Sequence, residues 1–233
     1  MPLRVKPMVQ YLTEQVEKMR DQDYTALSVA KAVKGREPGG RNKTLLFKKQ
    51  PFSFGPGNPA GAVALWTAWA ADIVRSSLDR PDEPVVIVPV PNSQATTEDR
   101  ADFRTWELAR LIAESVGGNV MALDELRWTE VMPKASEGGP RHAYQLYPKL
   151  ACALQYDPAA DRILIDDVLT SGGHMQAAAA RLTRAGTNVV AGLACGRTMH
   201  VQVTNPFGMP VEELSDFDPD DPFGFGAFFD EAD

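Results

Sequence analysis

Hydrophobic positions along the chain follow a helical spacing in some stretches and a strand-like run in others. The order of those stretches sets the expected architecture. Met8, Tyr11, Leu12, Val16 and Met19 recur at three- and four-residue steps and predict a helix over 8–19. Residues 31–61, "KAVKGREPGGRNKTLLFKKQPFSFGPGNPAG", mix glycine and proline with Lys31, Lys34, Arg36, Arg41, Lys43, Lys48 and Lys49, and predict an irregular connection. Within 61–78, Trp66, Trp69, Ala70, Ile73 and Val74 share one face of an amphipathic helix, which reads as a core-facing surface.

From residue 84 the pattern becomes regular. "PVVIVPVP" (84–91) is a short β-branched run closed by prolines, as a buried strand would be. Trp106, Ala109, Ile112, Ala113 and Val116 predict a helix over 104–116, ended by Gly117-Gly118. "NVMAL" (119–123) and "RILIDD" (162–167) read as strands, "HMQAAAARLTRA" (174–185) as a helix stopped by Gly186, and "NVVAGLAC" (188–195) as a further strand. Strand–helix–strand repeated twice implies parallel pairing, so the expected fold is α/β with a doubly wound, mainly parallel sheet. It carries an N-terminal extension over 1–60, a main domain over 61–205 and an acidic, Phe-rich, flexible tail over 206–233. Between the two units, 128–143 has no clean period, two prolines and a Gly-Gly, and is expected to be a mobile functional loop.

Charge changes this picture only at the end of the chain. The net charge is −7, but nine of the 31 acidic residues lie in 212–233, which has no Lys or Arg. The remainder is close to neutral, so the acidic balance describes a tail and not the body's partners. Cys152 and Cys195 are the only cysteines and form no CxxC pair, which excludes a disulfide framework and a sequence-evident zinc site and suits a reducing cytoplasm. The most apolar run, 60–71, meets Asp72 and Arg75 too early to span a bilayer. The expectation is a soluble cytoplasmic protein without a membrane. A homodimer and a protein partner for the tail are left open. The basic 31–49 stretch admits a nucleic-acid contact, although it lacks a recognition motif.

The chemistry concentrates at "RILIDDVLTSGGHM" (162–175). Asp166 and Asp167 end an apolar strand, where ligands of open parallel sheets bind. Ionised carboxylates only accept hydrogen bonds, so the vicinal hydroxyls of a sugar suit them. Thr170, Ser171, Gly172, Gly173 and His174 then lead into a helix whose free first-turn N–H groups attract an anion. Aspartate caps and Thr-Ser-Gly-Gly turns are ordinary loop devices taken singly. Joined in one strand–loop–helix they describe a site for a sugar phosphate.

"ILIDDVLTSGGH" resembles the phosphoribosyl-pyrophosphate (PRPP) motif of the type I phosphoribosyltransferase family. "PVPNS…FRTWELARLIAES" and "DDVLTSGG…RLTRAGTNVVAGLACGRT" are most similar to its ComF-like branch, and the resemblance covers about residues 60–200. It implies a protein of nucleotide metabolism that binds PRPP with Mg²⁺ and transfers ribose 5-phosphate to a nitrogen acceptor, releasing diphosphate. Its alternative is a non-catalytic PRPP-binding regulatory or DNA uptake and processing protein. By the resemblance Asp166 and Asp167 hold the ribose hydroxyls and favour a cationic transition state, and Thr170 to His174 cradle the 5′-phosphate. Asn92 and Ser93 contact the diphosphate, Lys134 or Arg141 reach it from the 128–143 lid, and Arg197 and Thr198 line the acceptor pocket. Mg²⁺ is carried by substrate oxygens and water. The chain departs from the family at His174, where Thr or Ser is usual, and at Thr170, an acid in members acting on purines through N7. It also lacks the N-terminal Cys-rich zinc module common in the ComF-like branch.

Overall fold

The computed structural model describes residues 2–13, 18–77, 82–99, 101–133 and 138–221. In chain order these form β1 (Leu3–Leu12), α1 (Asp21–Val33), β2 (Lys43–Phe47), β3 (Gln50–Phe54), α2 (Ala60–Ser77), β4 (Val85–Pro89), α3 (Arg104–Val116) and β5 (Val120–Ala122). There follow β6 (Leu126–Trp128), the single-turn α4 (Ala143–Leu146), a 3₁₀ turn (Tyr147–Lys149), β7 (Leu150–Cys152), β8 (Asp161–Leu169), α5 (Gly173–Arg184), β9 (Asn188–Met199) and β10 (Glu212–Leu214). None of the described helices is long and apolar enough to cross a membrane.

Six strands make one sheet in the order β10-β1-β9-β8-β4-β5. Every neighbour in it is parallel except β10, which runs antiparallel to β1. Parallel strands are covered on both faces, and β4 shows the consequence: all five of its residues are buried. One face packs Ile87, Ile163, Ile165, Leu193 and Cys195 against α1, α2 and α3, with Trp66 and Ile112 inside that layer. The other packs Val86, Val88, Leu164 and Ala194 against Met175, Ala178 and Leu182 of α5 and the β6–β7 ribbon. The fold is therefore α/β with a doubly wound, mainly parallel sheet.

The N-terminal part of the chain differs from its expectation. No helix runs over 8–12: β1 occupies Leu3–Leu12 and pairs with β9 through seven register positions from Val5↔Gly192 to Leu12↔Met199. A strand buried on both faces carries apolar residues in runs, and Met8, Tyr11 and Leu12 satisfied a helical template by coincidence. The remainder of that expected helix includes residues 14–17, which lie outside the described residues. The stretch from 31 is likewise not irregular throughout, because it holds the last turn of α1 and the β2–β3 hairpin. Lys48 and Lys49 turn that hairpin at φ 48° and 68°, a left-handed pair in which glycine or asparagine is the usual signal. At the other end, β10 joins the sheet edge. Arg184–Asp220 (2.5 Å) and the Gln176 Nε2 donation to the Ser215 carbonyl (2.8 Å) lay the following residues along α5.

Gly61, in the first turn of α2, shows how tightly the hairpin seats. A Cβ there would lie 1.9 Å from the Ser53 carbonyl oxygen, so β3 reaches the helix backbone itself. Gly61→Ala is expected to destabilise the protein by about 3 kcal/mol, the upper part of the overpacking range. Thermal denaturation should show the midpoint falling by roughly 6–12 °C for a domain of this size. A midpoint within about 2 °C of the parent would show that hairpin and helix separate freely.

Candidate functional site

β8 outruns its neighbour β4. The last β4 pair is Pro89↔Ile165, and the Val90 N–H donates to the Ile165 carbonyl (2.8 Å) before the chain leaves the sheet. On its other side β8 continues along β9, pairing Asp166↔Ala194, Val168↔Gly196 and Leu169↔Arg197. Asp166 and Asp167 therefore sit where β8 has lost one neighbour and kept the other, at the carboxyl edge of the sheet.

Alternation along a strand starts the two side chains toward opposite faces. The Asp166 carboxylate, however, bends back to accept the Asp167 main-chain N–H at 2.7 Å, which brings the carboxyl groups together. As residues both keep partial exposure, while the carboxyl groups themselves are enclosed by protein. Burial and the neighbouring Asp167 charge push Asp166 well above the ordinary carboxylate range. Burial also raises Asp167, against the pull of Lys34 at the end of α1, the Val168 N–H and Arg104 at the start of α3. Two half-buried acids held this way favour whatever brings hydrogen-bond donors or positive charge between them.

Arg104 reaches this corner for a second reason. Its Nε donates to the Val33 carbonyl (2.7 Å) and its Nη2 to that of Ala32 (3.3 Å), closing the C-terminus of α1. Lys34 follows as that helix's C-cap. Neither residue was singled out for the acid pair by sequence. Lys34 comes from the end of α1, an element the pattern did not reveal, and Arg104 from the start of α3, which packs its side chain on that end.

Beyond β8 the turn is built as its composition suggested. Gly172 takes φ 86° and is the N-cap of α5, whose first residue is Gly173. Thr170 and Ser171 are exposed. The Ser171 hydroxyl donates to the Arg141 carbonyl (2.7 Å), and a Cβ on Gly173 would meet that same oxygen at 2.0 Å. The main chain of 138–142 thus lies directly on the turn. Leu214 of β10 covers it from another side, with a methyl 2.9 Å from where a Gly172 Cβ would be. His174 is half-buried with its ring edge-on to Trp128, 5.8 Å between centroids, and burial lowers its pKa below the usual imidazole range. It stands neutral in the first helical turn at physiological pH.

Asn92 and Ser93 lie in the loop that follows β4, the sheet neighbour of β8. Asn92 is exposed and its Oδ1 accepts the Gln94 N–H (3.0 Å), while the Ser93 carbonyl accepts the Met132 N–H (2.9 Å). Lys134 lies outside the described residues. Arg141 is exposed, and its main-chain carbonyl meets the turn. The Arg197 guanidinium is engaged: it forms an ion pair with Glu212 (3.0 Å) and donates to the Thr170 carbonyl. It ties β9 to the turn and to β10. Thr198 is half-buried and registers opposite Tyr11 of β1.

No protein-family model and no curated protein matches this chain. Among solved structures it is similar to adenine phosphoribosyltransferase from Saccharomyces cerevisiae, complexed with an imino-altritol bisphosphate and adenine. That likeness has 14% identity, covers 73% of this chain and 89% of that one, and has a TM-score of 0.41. It is also similar to adenine phosphoribosyl transferase from Trypanosoma brucei in complex with AMP, pyrophosphate and ribose-5-phosphate, with 12% identity, 83% and 87% coverage and a TM-score of 0.41. A further adenine phosphoribosyltransferase matches at 11% identity, 71% and 89% coverage and the same TM-score.

Proposed function

We propose that the protein binds phosphoribosyl pyrophosphate at the carboxyl edge of β8 and transfers its ribose 5-phosphate to a nitrogen acceptor, releasing diphosphate. The observation that carries this reading is the convergence of Asp166 and Asp167, both raised by burial, immediately before a glycine turn that opens α5. A fold gains nothing from enclosing two like charges. A ligand offering vicinal hydroxyls relieves them, and its phosphate finds the turn's main-chain N–H groups one step away.

As the bond to diphosphate breaks, positive charge gathers at the anomeric carbon and ring oxygen. Ionised Asp166 and Asp167 beside the ring favour that charge and fix the sugar's orientation. The nitrogen acceptor forms the new bond with its lone pair, diphosphate departs with the old bonding pair, and the acceptor's proton is lost to solvent or base. Among the described residues no group of three His, Cys, Asp or Glu side chains is placed to hold a metal ion. In this proposal Mg²⁺ would ride on substrate oxygens and water, where it would neutralise charge on the leaving diphosphate.

A second reading is a non-catalytic PRPP-binding protein. In both readings a phosphate must displace the Arg141 carbonyl or Leu214, which rest on the turn. Calorimetry with PRPP and Mg²⁺ tests both readings at once, and saturable heat at micromolar to millimolar PRPP is expected. Diphosphate release with a panel of purine, pyrimidine and amine acceptors then separates them. Tight binding without release under any acceptor supports the binder, and no saturable heat at all removes both.

A further inference from the structure

We infer that Tyr11, on strand β1, is a ligand-binding residue of the acid-pair site, its phenol hydroxyl donating to the ligand that Asp166 and Asp167 hold from the other side. The inference rests on the sugar-site reading above and adds a wall to it from the N-terminal part of the chain.

The placement follows from topology. β1 lies against β9, which lies against β8, so Tyr11 stands two strands from the acid pair on the same carboxyl edge. In register it faces Thr198, two residues beyond Gly196, while Val168 faces Gly196 from the β8 side. Gly196 makes room for the ring. A Cβ there would lie 2.7 Å from Tyr11 Cε1, 3.1 Å from its Cδ1 and 3.2 Å from Ala30 Cβ. The phenol ring is thus wedged beside the β9 main chain, under α1.

Tyr11 is half-buried, and among the described residues its hydroxyl has no hydrogen-bond partner, so it is available to a ligand. Asp167, Cys195, Asp166 and Arg36 are the charged and titratable groups near it. Asp167 weighs most among those neighbours, yet no hydrogen bond joins it to the phenol. The ring leans from β1 over Gly196 of β9, whose register neighbour on the other side is Val168, the residue after Asp167. Burial, then Asp167, raise the phenol's pKa well above its ordinary value, so it stays a proton donor at any physiological pH.

The two walls are chemically complementary. Carboxylates take the protons of a ligand's hydroxyls, whereas the phenol can give one to a ligand oxygen or ring nitrogen facing the other way. A molecule with vicinal hydroxyls on one side and an acceptor atom on the other satisfies both. A merely structural role for residue 11 would be served equally by phenylalanine, which fills the same volume.

The test uses the full chain, PRPP with Mg²⁺ as the probe, and Tyr11→Phe. Because the hydroxyl has no partner in the free protein, its loss should leave the unliganded melting midpoint unchanged. Affinity for PRPP should fall about three- to tenfold, the range for one net hydrogen bond. In protein labelled with ¹³C at tyrosine Cζ, the Tyr11 resonance, assigned by its absence from Tyr11→Phe, should shift on saturation. Gly196→Ala, which drives the ring aside, should weaken binding to a similar degree. Failure of the unsubstituted chain to bind PRPP would sink the sugar-site reading and this inference with it. Parental affinity in Tyr11→Phe with an unmoved Cζ resonance would overturn the inference alone, as would a lowered melting midpoint that accounts for all the lost affinity.

Discussion

Replacing Arg162 with methionine is expected to destabilise the protein by about 3–5 kcal/mol, the cost of stranding one partner of a buried ion pair. Arg162 and Glu125 are both fully buried and meet through two contacts, Nε to Oε2 and Nη2 to Oε1, each 3.2 Å. The guanidinium also donates to the carbonyls of Asp157 (2.6 Å) and Tyr156 (3.3 Å), and Glu125 Oε1 accepts the Gln155 N–H (3.0 Å). One side chain therefore fixes the start of β8, the loop before it and the link from β5 to β6. Without it Glu125 keeps a carboxylate in a dry interior with its main acceptor geometry unmet. Thermal denaturation should show the loss directly, with a melting midpoint lower by roughly 6–20 °C. Arg162→Met combined with Glu125→Leu should recover a large part of it, because removing both charges also removes their desolvation. A single variant within 1 kcal/mol of the parent would mean that water reaches Glu125.

That ion pair also marks where sequence reading stopped. The stretch "RILIDD" was legible as a strand from its β-branched run, and nothing local tells that Arg162 at its head is buried while Arg184 at a helix end is exposed. The deciding partner, Glu125, lies 37 positions away. The same division runs through the molecule. β4, α3, β8, α5 and β9 were readable because each carries its own period and its own terminator, as with Gly117 after α3. β1 was not, because its alternation lasts only over Leu3–Lys6 and is then broken by Pro7, Met8 and Val9, buried in a row. Helix α1 did leave a signal, with Ala26, Val29, Ala30 and Val33 at helical steps and Asp21 and Asp23 in the first turn, but the basic, glycine-rich stretch after it dominated the window. The hairpin was hidden by its turn, since Lys48-Lys49 in the left-handed region is what local chemistry argues against.

The candidate site divides in the same manner. Its acids and its glycine turn are contiguous and close a recognisable strand, so local reading could single them out, whereas Asn92 and Ser93 were singled out only by the resemblance. Lys34 and Tyr11 reach the acids through α1 and β1, and Arg104 through the packing of α3 on the end of α1, and no spacing along the chain encodes that. Arg197 illustrates the converse. The resemblance implied an acceptor pocket at Arg197, and no local pattern foretold that Glu212, on a strand drawn from the acidic tail, pairs with its guanidinium.

Asp166→Asn is expected to weaken PRPP binding about a hundredfold or more and, at neutral pH, to make the free protein more stable. The affinity loss follows from removing a charged acceptor from a desolvated diol contact, where charge-assisted bonds are individually strong. The stability gain follows from linkage. Asp166 is raised well above its ordinary 3.8 in the folded chain, so between that value and its raised one the native state binds more protons than the unfolded state. Stability therefore falls as pH climbs through this window and stays lower above it, because folding then encloses a charge beside Asp167. Asparagine carries no such charge. The variant's advantage, of order 1 kcal/mol by the usual scale of stabilising substitutions at functional sites, should be present at pH 7 and vanish below about pH 4. Urea unfolding across that pH range reads the effect, and calorimetry reads the affinity. PRPP should shift the balance the other way, stabilising the parent far more than the variant as pH rises, since the ligand prefers the ionised pair. An Asp166→Asn protein that loses stability at pH 7, or binds PRPP as the parent does, would show that the acid serves the fold and not a ligand.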